Sequence, residues 1–215
     1  MWCVPELNDE FKKRMEDILG LYSKPYKEQE PVVCLDEKPV QLLQDIRSVL
    51  PCMPGQVRKV DYEYKRCGTA NIFAAVEPKG GKHFTRVTET KKGKDFAQLC
   101  FSISRHYATA KTIHLVVDNF KTHTLKSLVD CYGEEKGKNI WNKFTVHYTP
   151  KHASWLNQAE IELSILSREC LGKLRLGDIE ALSNRIRAWN LKANRDKMKI
   201  CWRFTTKDAR KKFKY

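Results

Sequence analysis

The hydrophobic and polar positions along the chain change period several times, and each change predicts a new element. Apolar side chains recur every three to four positions over residues 9–22, which is typical of an amphipathic helix capped by Asn8 or Asp9. The continuous apolar run 32–35 is too short for a helix and predicts a buried strand. Residues 23–31 form a polar connection between these two elements.

A meander of strands is predicted in the middle of the chain. It follows a Pro- and Gly-rich loop at 51–58, and its three antiparallel strands are predicted at 57–66, 71–77 and 83–89. Gly68 separates the first two of these strands, and the turn 78–81 separates the last two.

The second half of the chain alternates between helices and strands and ends in a basic tail. Helical spacing predicts helices at 95–107, 123–131, 157–171, 179–194 and 207–215, and short apolar runs predict strands at 112–118 and 144–148. This alternation implies parallel strand pairing with helices on both faces of the sheet, so the predicted fold class is α/β.

Composition and charge narrow the functional class. The 215 residues, of which 41% are hydrophobic and 31% charged, suit a globular protein of about one to one and a half domains. Because no apolar run could span a bilayer and no signal-peptide pattern begins the chain, we expect neither a membrane-spanning nor a secreted protein.

The eight cysteines include no C-x-x-C pair, which argues against structural zinc and for reduced cytosolic thiols. The net charge of +14 favours DNA, RNA or an acidic membrane face as partner, with a merely basic surface as the alternative.

Two of the predicted buried strands end in an aspartate. Asp36 follows the apolar run 32–35, and Asp118 follows the run 113–117. Such a carboxylate is costly unless it is paired or binds a cation, and ligands of open α/β sheets collect at the carboxyl ends of strands. If the two strands are parallel neighbours, the carboxylates lie side by side and, as hard oxygen ligands, suit Mg²⁺ or Mn²⁺. The alternative is that each aspartate only caps a loop or the following helix.

A third carboxylate is needed to hold two metal ions, and the apolar helix that follows offers Glu160, Glu162 and Glu169. Glu160 and Glu162 lie about 200° apart around the helix axis, because successive residues rotate by about 100°, so they cannot both face one site. Glu160 shares its stripe with Ser164 and Ser167, whose small side chains leave room for a ligand. Spacing therefore favours Glu160, and the alternative is a surface glutamate stabilised by the helix dipole.

The residues around these acids form an ordered set of motifs. The motifs are CLDEKP at 34–39, VDN at 117–119 followed by His123, HYTPKH at 147–152 and SWLNQAE at 154–160. Each motif alone is weak, but the set in this order resembles the DDE transposases of the mariner-like superfamily, in particular its bacterial insertion-sequence branch. The resemblance runs from about residue 1 to the C-terminus.

The resemblance implies an RNase H-like fold, which is a five-stranded mixed sheet in the order 3-2-1-4-5 flanked by helices. It implies a catalytic domain over residues 31–195, preceded by an N-terminal helix and linker (1–30) and followed by a basic tail (196–215). The resemblance also implies that Asp36, Asp118 and Glu160 are the catalytic and metal-binding residues, with two Mg²⁺ or Mn²⁺ ions. The family chemistry is DNA cleavage at transposon ends and strand transfer. The implied partners are transposon-end DNA, target DNA and a second copy of the chain but no membrane, in a bacterial or archaeal cytoplasm near the nucleoid.

Six residues within or beside the motifs are candidate DNA-binding residues. They are Lys38, Asn119, His123, Lys151, His152 and Trp155. The first two are predicted to touch phosphate or to orient the carboxylates, and Lys151 and His152 to contact the DNA backbone. His123 either lines the site or is a buried packing residue, and for Trp155 anchoring in the core is favoured over base stacking.

Two features depart from the family pattern. Only about thirty residues precede the first catalytic strand, whereas family members usually carry helix-turn-helix units there. We therefore expect a catalytic-domain fragment, half of a split reading frame or a decayed element. Asp118 and Glu160 are 42 positions apart, more than is common, and the polar stretch 132–138 is interpreted as a surface-loop insertion that leaves the site intact.

Three functions remain open from the sequence. The first is a metal-dependent polynucleotidyl transferase and endonuclease, and the second is a truncated, catalytically idle DNA-binding relic. The third is another RNase H-like nuclease, such as an RNA–DNA hybrid cutter or a junction resolvase. The intact set of three acids favours the first function over the second, and the motifs around the acids favour the first over the third.

Overall fold

The computed structural model describes residues 7–215. Residues 1–6, which include Cys3 and the stretch considered for a secretory signal, lie outside the described residues. The helices are α1 (Asp9–Ser23), α2 (Gly93–His106), α3 (Leu125–Tyr132), α4 (Glu134–Trp141), α5 (Ala159–Leu166), α6 (Ile179–Arg195) and α7 (Thr206–Phe213). The strands are β1 (Val32–Asp45), β2 (Tyr64–Glu77), β3 (Lys82–Thr88), β4 (Ile113–Val117) and β5 (Phe144–Tyr148). A 3₁₀ turn, Ser154–Leu156, precedes α5, and a π-helical turn, Ser167–Leu171, extends it.

The five strands form one mixed sheet in the order β3-β2-β1-β4-β5. The pairs β1–β2 and β2–β3 are antiparallel, whereas β4 runs parallel to β1, and β5 runs parallel to β4. The predicted fold class and strand order are therefore confirmed, and the architecture is RNase H-like. The strand that carries Asp36 and the strand that leads to Asp118 are parallel neighbours, which is the condition for the two carboxylates to lie side by side.

Helices cover both faces of the sheet, which explains why its central strands are continuously apolar. On one face, Val33 and Leu35 of β1 pack with the apolar sides of α2, α3 and α4. On the other face, Cys34 of β1 packs with α1 and α7, while the inner residues of β2 pack with α5 and α6. Within residues 7–215, we find no helix that combines the length and the hydrophobicity needed to cross a membrane.

The two ends of the described chain meet on the sheet face that α1 covers. Trp202 and Phe204 pack against the cluster that contains the apolar side of α1, and Trp202 contacts Tyr22 edge to face. Glu16 of α1 accepts hydrogen bonds from Arg210 of α7 at 2.8 and 3.0 Å. The predicted division into residues 1–30, 31–195 and 196–215 stays a prediction, but the described parts of the outer segments contribute to the core.

The predicted strand at 57–66 is wrong in its first half. Residues 46–63 form a loop with only two isolated bridges, Leu50–Lys59 and Met53–Gln56, because the alternating residues 57–63 have no neighbouring strand to pair with in residues 7–215. The strand β2 begins at Tyr64 and continues through Gly68, which was predicted to end it. Gly68 has φ +108, a conformation that a residue without a side chain adopts at little cost, so the ladder with β1 continues past it.

The polar stretch 132–138 was predicted as a surface-loop insertion and is instead mostly the start of α4. Gly133, at φ +83, joins α3 to α4 directly, and Ile140 of α4 is buried. A Cβ at Gly137 would lie 2.8 Å from the backbone of Val129, so the glycine allows the two helices to pack closely. The long polar run hid this helix because its apolar residues come only at its end.

Candidate functional site

The register of β1 and β4 places the two predicted aspartates at the same edge of the sheet. Cys34 of β1 pairs with Val116 of β4, and Asp36 and Asp118 each lie two positions further along parallel strands. Side chains two positions apart point to the same face of a strand. The structure therefore brings Asp36 and Asp118 together at the sheet edge.

Asp36 is half-buried among other acids, and its pKa reflects this environment. Burial raises the pKa of Asp36 to about 7, and the negative charges of Glu160, Glu37 and Asp118 act in the same direction. Its Oδ1 accepts a hydrogen bond from the Glu37 amide at 2.8 Å, which opposes the rise. Desolvation and three like charges disfavour the ionised form of this carboxyl group, and a bound cation would offset both effects.

The helix α5 exposes Glu160 and buries Glu162, so the two glutamates do not face one site, and the choice of Glu160 as the ligand stays a prediction. Glu160 is exposed, and its charge reaches Asp36. Glu162 is 1% exposed, and its Oε1 lies 2.5 Å from Nδ1 of His83 in β3. The stripe of Glu160 faces the edge of β1, because Ser167 on that stripe accepts a hydrogen bond from Nζ of Lys38 at 2.8 Å.

His123 holds Asp118 from inside the protein. The imidazole is fully buried, with Nδ1 at 2.7 Å from Oδ1 of Asp118 and Nε2 at 3.3 Å from Oε2 of Glu37. Burial alone lowers the pKa of His123, but the hydrogen bonds and charges of these two carboxylates outweigh it and raise that pKa to about 9. Burial also raises the pKa of Asp118, yet the hydrogen bond and charge of His123 and the Phe120 amide outweigh it and hold that pKa below its usual range.

The donor set at this edge matches the chemistry of a magnesium or manganese site. Asp36, Asp118 and Glu160 would supply carboxylate oxygens, and the charges of Glu160 and Asp118 add to the burial that raises the pKa of Asp36. Within residues 7–215, however, no group of three or more His, Cys, Asp or Glu side chains is arranged closely enough to hold an ion. The three side chains therefore have the right chemistry for such a metal ion. Their carboxylates would have to move closer together to bind one.

A cleft of about 720 Å³ opens beside Asp118, between the start of α1 and the loops that follow β4 and β5. Asn119, Lys151 and His152 line it, and all three are exposed. Asn119 connects its two walls, since its Nδ2 donates to the Thr149 carbonyl at 2.7 Å and its Oδ1 accepts from Arg14 at 2.7 Å.

Three of the six candidate DNA-binding residues are held inside the protein or against its core. His123 is buried and cannot contact DNA in this conformation, so the predicted alternative of a packing residue describes its position better. Lys38 is half-buried and tied to Ser167. Trp155 is half-buried, with ring centroids 5.6 Å from Phe204 and 6.3 Å from Phe213, which matches the preference for anchoring.

Two residues of the site were not predicted from the sequence. Asn157, which is 1% exposed, donates from Nδ2 to the Leu35 carbonyl at 2.8 Å and lies 3.5 Å from Oδ2 of Asp36, so it ties the start of α5 to β1. Glu37 is the second carboxylate at His123. Both lie inside the sequence motifs, but a strand residue next to an aspartate gives no sequence signal that it turns towards a histidine far along the chain.

Comparison with solved structures shows the same fold in Mos1 transposase complexes. The Mos1 mariner paired-end complex with Mn has a TM-score of 0.58 and 16% identity, over 91% of this chain and 62% of that chain. The Mos1 strand transfer complex has a TM-score of 0.57 and 16% identity, over 89% of this chain and 57% of that chain. The Mos1 paired-end complex with the left transposon end has a TM-score of 0.56 and 15% identity, over 92% of this chain and 61% of that chain. The chain thus spans about three fifths of the Mos1 chains.

Sequence comparison gives the family directly. No curated protein matches the chain significantly. The family model described as "DDE superfamily endonuclease" matches residues 31–183, well over half of the sequence. The resemblance inferred from the motifs is therefore confirmed for the DDE family and the mariner fold, while the insertion-sequence branch stays a prediction. From β1 to the first turn of α6, this chain belongs to the DDE superfamily endonucleases.

Proposed function

We propose that this chain is the catalytic domain of a transposase that cleaves DNA strands at transposon ends and transfers them to a target. The observation that carries the proposal is the parallel pairing of β1 with β4, which brings Asp36 and Asp118 side by side in a chain of the DDE family, and the charge of Glu160 acts on Asp36. The solved Mos1 complexes are described with transposon ends and with Mn or Mg, which supports the same substrate and metals here.

The three carboxylates are proposed to hold two Mg²⁺ or Mn²⁺ ions. When bound, such ions activate the attacking water or 3′-hydroxyl and stabilise the leaving oxygen of the phosphodiester. The chain itself orients the ligands, because His123 holds Asp118 and Asn157 holds the start of α5 next to Asp36. Lys38, bound to Ser167, is proposed to orient the Glu160 stripe rather than to touch phosphate.

DNA is proposed to approach through the cleft beside Asp118. Lys151 and His152 are exposed on its wall, and the net charge of +14 favours the approach of a polyanion. Contacts to phosphates release counterions, so binding should weaken steeply with salt. The paired-end Mos1 complexes support a homodimer as the active form, and the bacterial or archaeal cytoplasm stays a prediction.

A nicking assay on supercoiled plasmid tests the catalytic assignment. With Mg²⁺ or Mn²⁺ the wild type should nick DNA, whereas Asp118→Asn and Glu160→Gln should lose at least about a hundredfold in rate with nearly unchanged, salt-sensitive DNA binding. Glu169→Gln is the matched control, because it removes one glutamate from the same helical segment on a different side. Retained nicking by Asp118→Asn contradicts the assignment.

Two further results separate the alternative functions. A wild type that binds DNA but never nicks it with either metal identifies a catalytically idle relic. Cleavage of an RNA–DNA hybrid or a four-way junction in preference to duplex DNA identifies a different RNase H-like nuclease. Nicking of duplex DNA that depends on all three carboxylates supports the transposase.

A further inference from the structure

A second acidic side chain of α5, that of Glu162, contacts the edge strand β3 of the sheet. Glu162 and His83 are each 1% exposed at the side chain, with 2.5 Å between Oε1 and Nδ1. The other ring nitrogen of His83, Nε2, lies 2.9 Å from the Met198 carbonyl, which can only accept a hydrogen bond. Both ring nitrogens of His83 thus have a partner, and the pair joins α5 to β3 inside the protein.

His83 is itself held firmly on β3. Its backbone amide donates to Oδ1 of Asn194 at 3.0 Å, and its carbonyl accepts from Nδ2 of the same side chain at 2.9 Å. The ring also meets Trp189 of α6 edge to face at 6.1 Å. Glu162 is thus connected through His83 to the edge strand, to α6 and to the segment after α6.

The helix α5 needs such a connection to keep a fixed rotation about its axis. Its α-helical part has only 8 residues before the π-helical turn, its N-cap Gln158 makes no side-chain capping bond, and so short a helix depends on tertiary contacts for its stability. Glu160 cannot fix the helix, because its carboxylate has no hydrogen bond or ion pair with any residue of 7–215 in the structure. The direction in which Glu160 points therefore comes from the buried side of α5.

We propose that the buried Glu162–His83 pair is the positioning element that turns Glu160 towards Asp36 and Asp118. The two glutamates lie about 200° apart around the helix, so fixing Glu162 on the inside aims Glu160 at the opposite, outer side. A rotation by one residue, about 100°, would pull Glu162 away from His83 and leave both groups buried without a partner. This role rests on the proposed function, in which Glu160 is a metal ligand.

Metal binding by the full chain, without DNA, tests the proposal. Titration of Mn²⁺ followed by calorimetry should show that Glu162→Ala weakens binding about tenfold or more, the usual effect of losing a residue that orients a ligand. Glu162→Gln keeps the size and one hydrogen bond to His83, so it should recover most of the affinity. Leu163→Ala, which removes a neighbouring buried side chain of α5 without touching His83, is the matched control for a loss of packing. It should leave Mn²⁺ affinity within about twofold of the wild type, because it leaves the positioning pair in place.

Metal-dependent nicking gives a second readout that stability alone does not move. In Glu162→Ala the Mn²⁺ concentration for half-maximal nicking should rise with the Kd measured by calorimetry, at unchanged DNA affinity. Unchanged Mn²⁺ affinity in Glu162→Ala, or an equal loss in Leu163→Ala, overturns the positioning role. If Glu160→Gln binds Mn²⁺ as well as the wild type, the proposed function fails instead, which is a separate result.

Discussion

The raised pKa of Asp36 makes the protein without metal less stable as pH rises. The unfolded carboxyl ionises near 3.8, whereas in the folded protein burial and the charges of Glu160, Glu37 and Asp118 move this pKa to about 7. Between these two pH values the unfolded chain releases the proton more readily, so stability falls from about pH 4 and the loss is complete above pH 7. The shift of about 3 units corresponds to about 4 kcal/mol at high pH.

Asp36→Asn removes the ionisable carboxyl group and keeps an oxygen that can accept the hydrogen bond from the Glu37 amide. We expect the variant to be more stable than the wild type in EDTA, by an amount that grows by about 2 to 3 kcal/mol between pH 5 and pH 8. The assay is urea unfolding of both proteins at several pH values in this range. Asp130→Asn, which removes an exposed carboxylate of α3, is the control for a general change in charge.

The difference between variant and wild type isolates Asp36, because every other titrating group is present in both proteins. A difference that stays constant with pH, or a variant that loses stability relative to the wild type above pH 7, refutes the reasoning about this acidic cluster. The same pair of proteins tests the cation as well. Excess Mg²⁺ at pH 8 should stabilise the wild type and should not stabilise Asp36→Asn, since a ligand stabilises only the state that binds it.

Three further predictions concern packing, the buried histidine and the cleft. Gly137→Val should destabilise the protein by about 2 to 3 kcal/mol in urea unfolding, because its side chain meets the backbone of α3, and a loss below about 0.5 kcal/mol would contradict this packing. His123→Ala should cost about 3 kcal/mol, since Glu37 and Asp118 lose their shared partner, and an unchanged unfolding midpoint would show that the imidazole is dispensable. Lys151→Ala should weaken binding to unrelated DNA sequences equally and reduce the slope of log K against log salt by about one, whereas a sequence-dependent loss would indicate base contacts.

Part of the proposed catalytic edge was predictable because some of its signals are local. The apolar run before Asp118 forms the buried strand β4. The run before Asp36 begins β1, but the predicted end of the strand at Asp36 is wrong, because pairing with β2 continues to Asp45. The rotation of about 100° per residue is enough to separate Glu160 from Glu162 on sequence alone. Those patterns depend only on neighbouring residues. The pairing of β1 with β4 came from the resemblance, since no pattern within either strand specifies its partner.

The features that the sequence did not predict depend on tertiary contacts. The helix α4 begins with a polar run, and what stabilises it is the close approach of Gly137 to α3. Residues 57–63 alternate like a strand, but they have no neighbouring strand to pair with, whereas β2 continues past Gly68 because β1 lies beside it. The burial of His123 follows from Glu37, a partner 86 positions away, which no local pattern reveals.

The position of β4 beside β1 has a consequence for synthesis of the chain on the ribosome. β1, β2 and β3 are neighbours in sequence and can pair soon after they are made, but β1 must wait for β4, which is about 80 positions later. Until then one edge of β1 has no strand to pair with, and the apolar segment before Asp36 is open to association with other nascent chains. Glu160 emerges later still, so a prematurely terminated product that ends before α5 carries at most two of the three acids and cannot assemble the proposed centre.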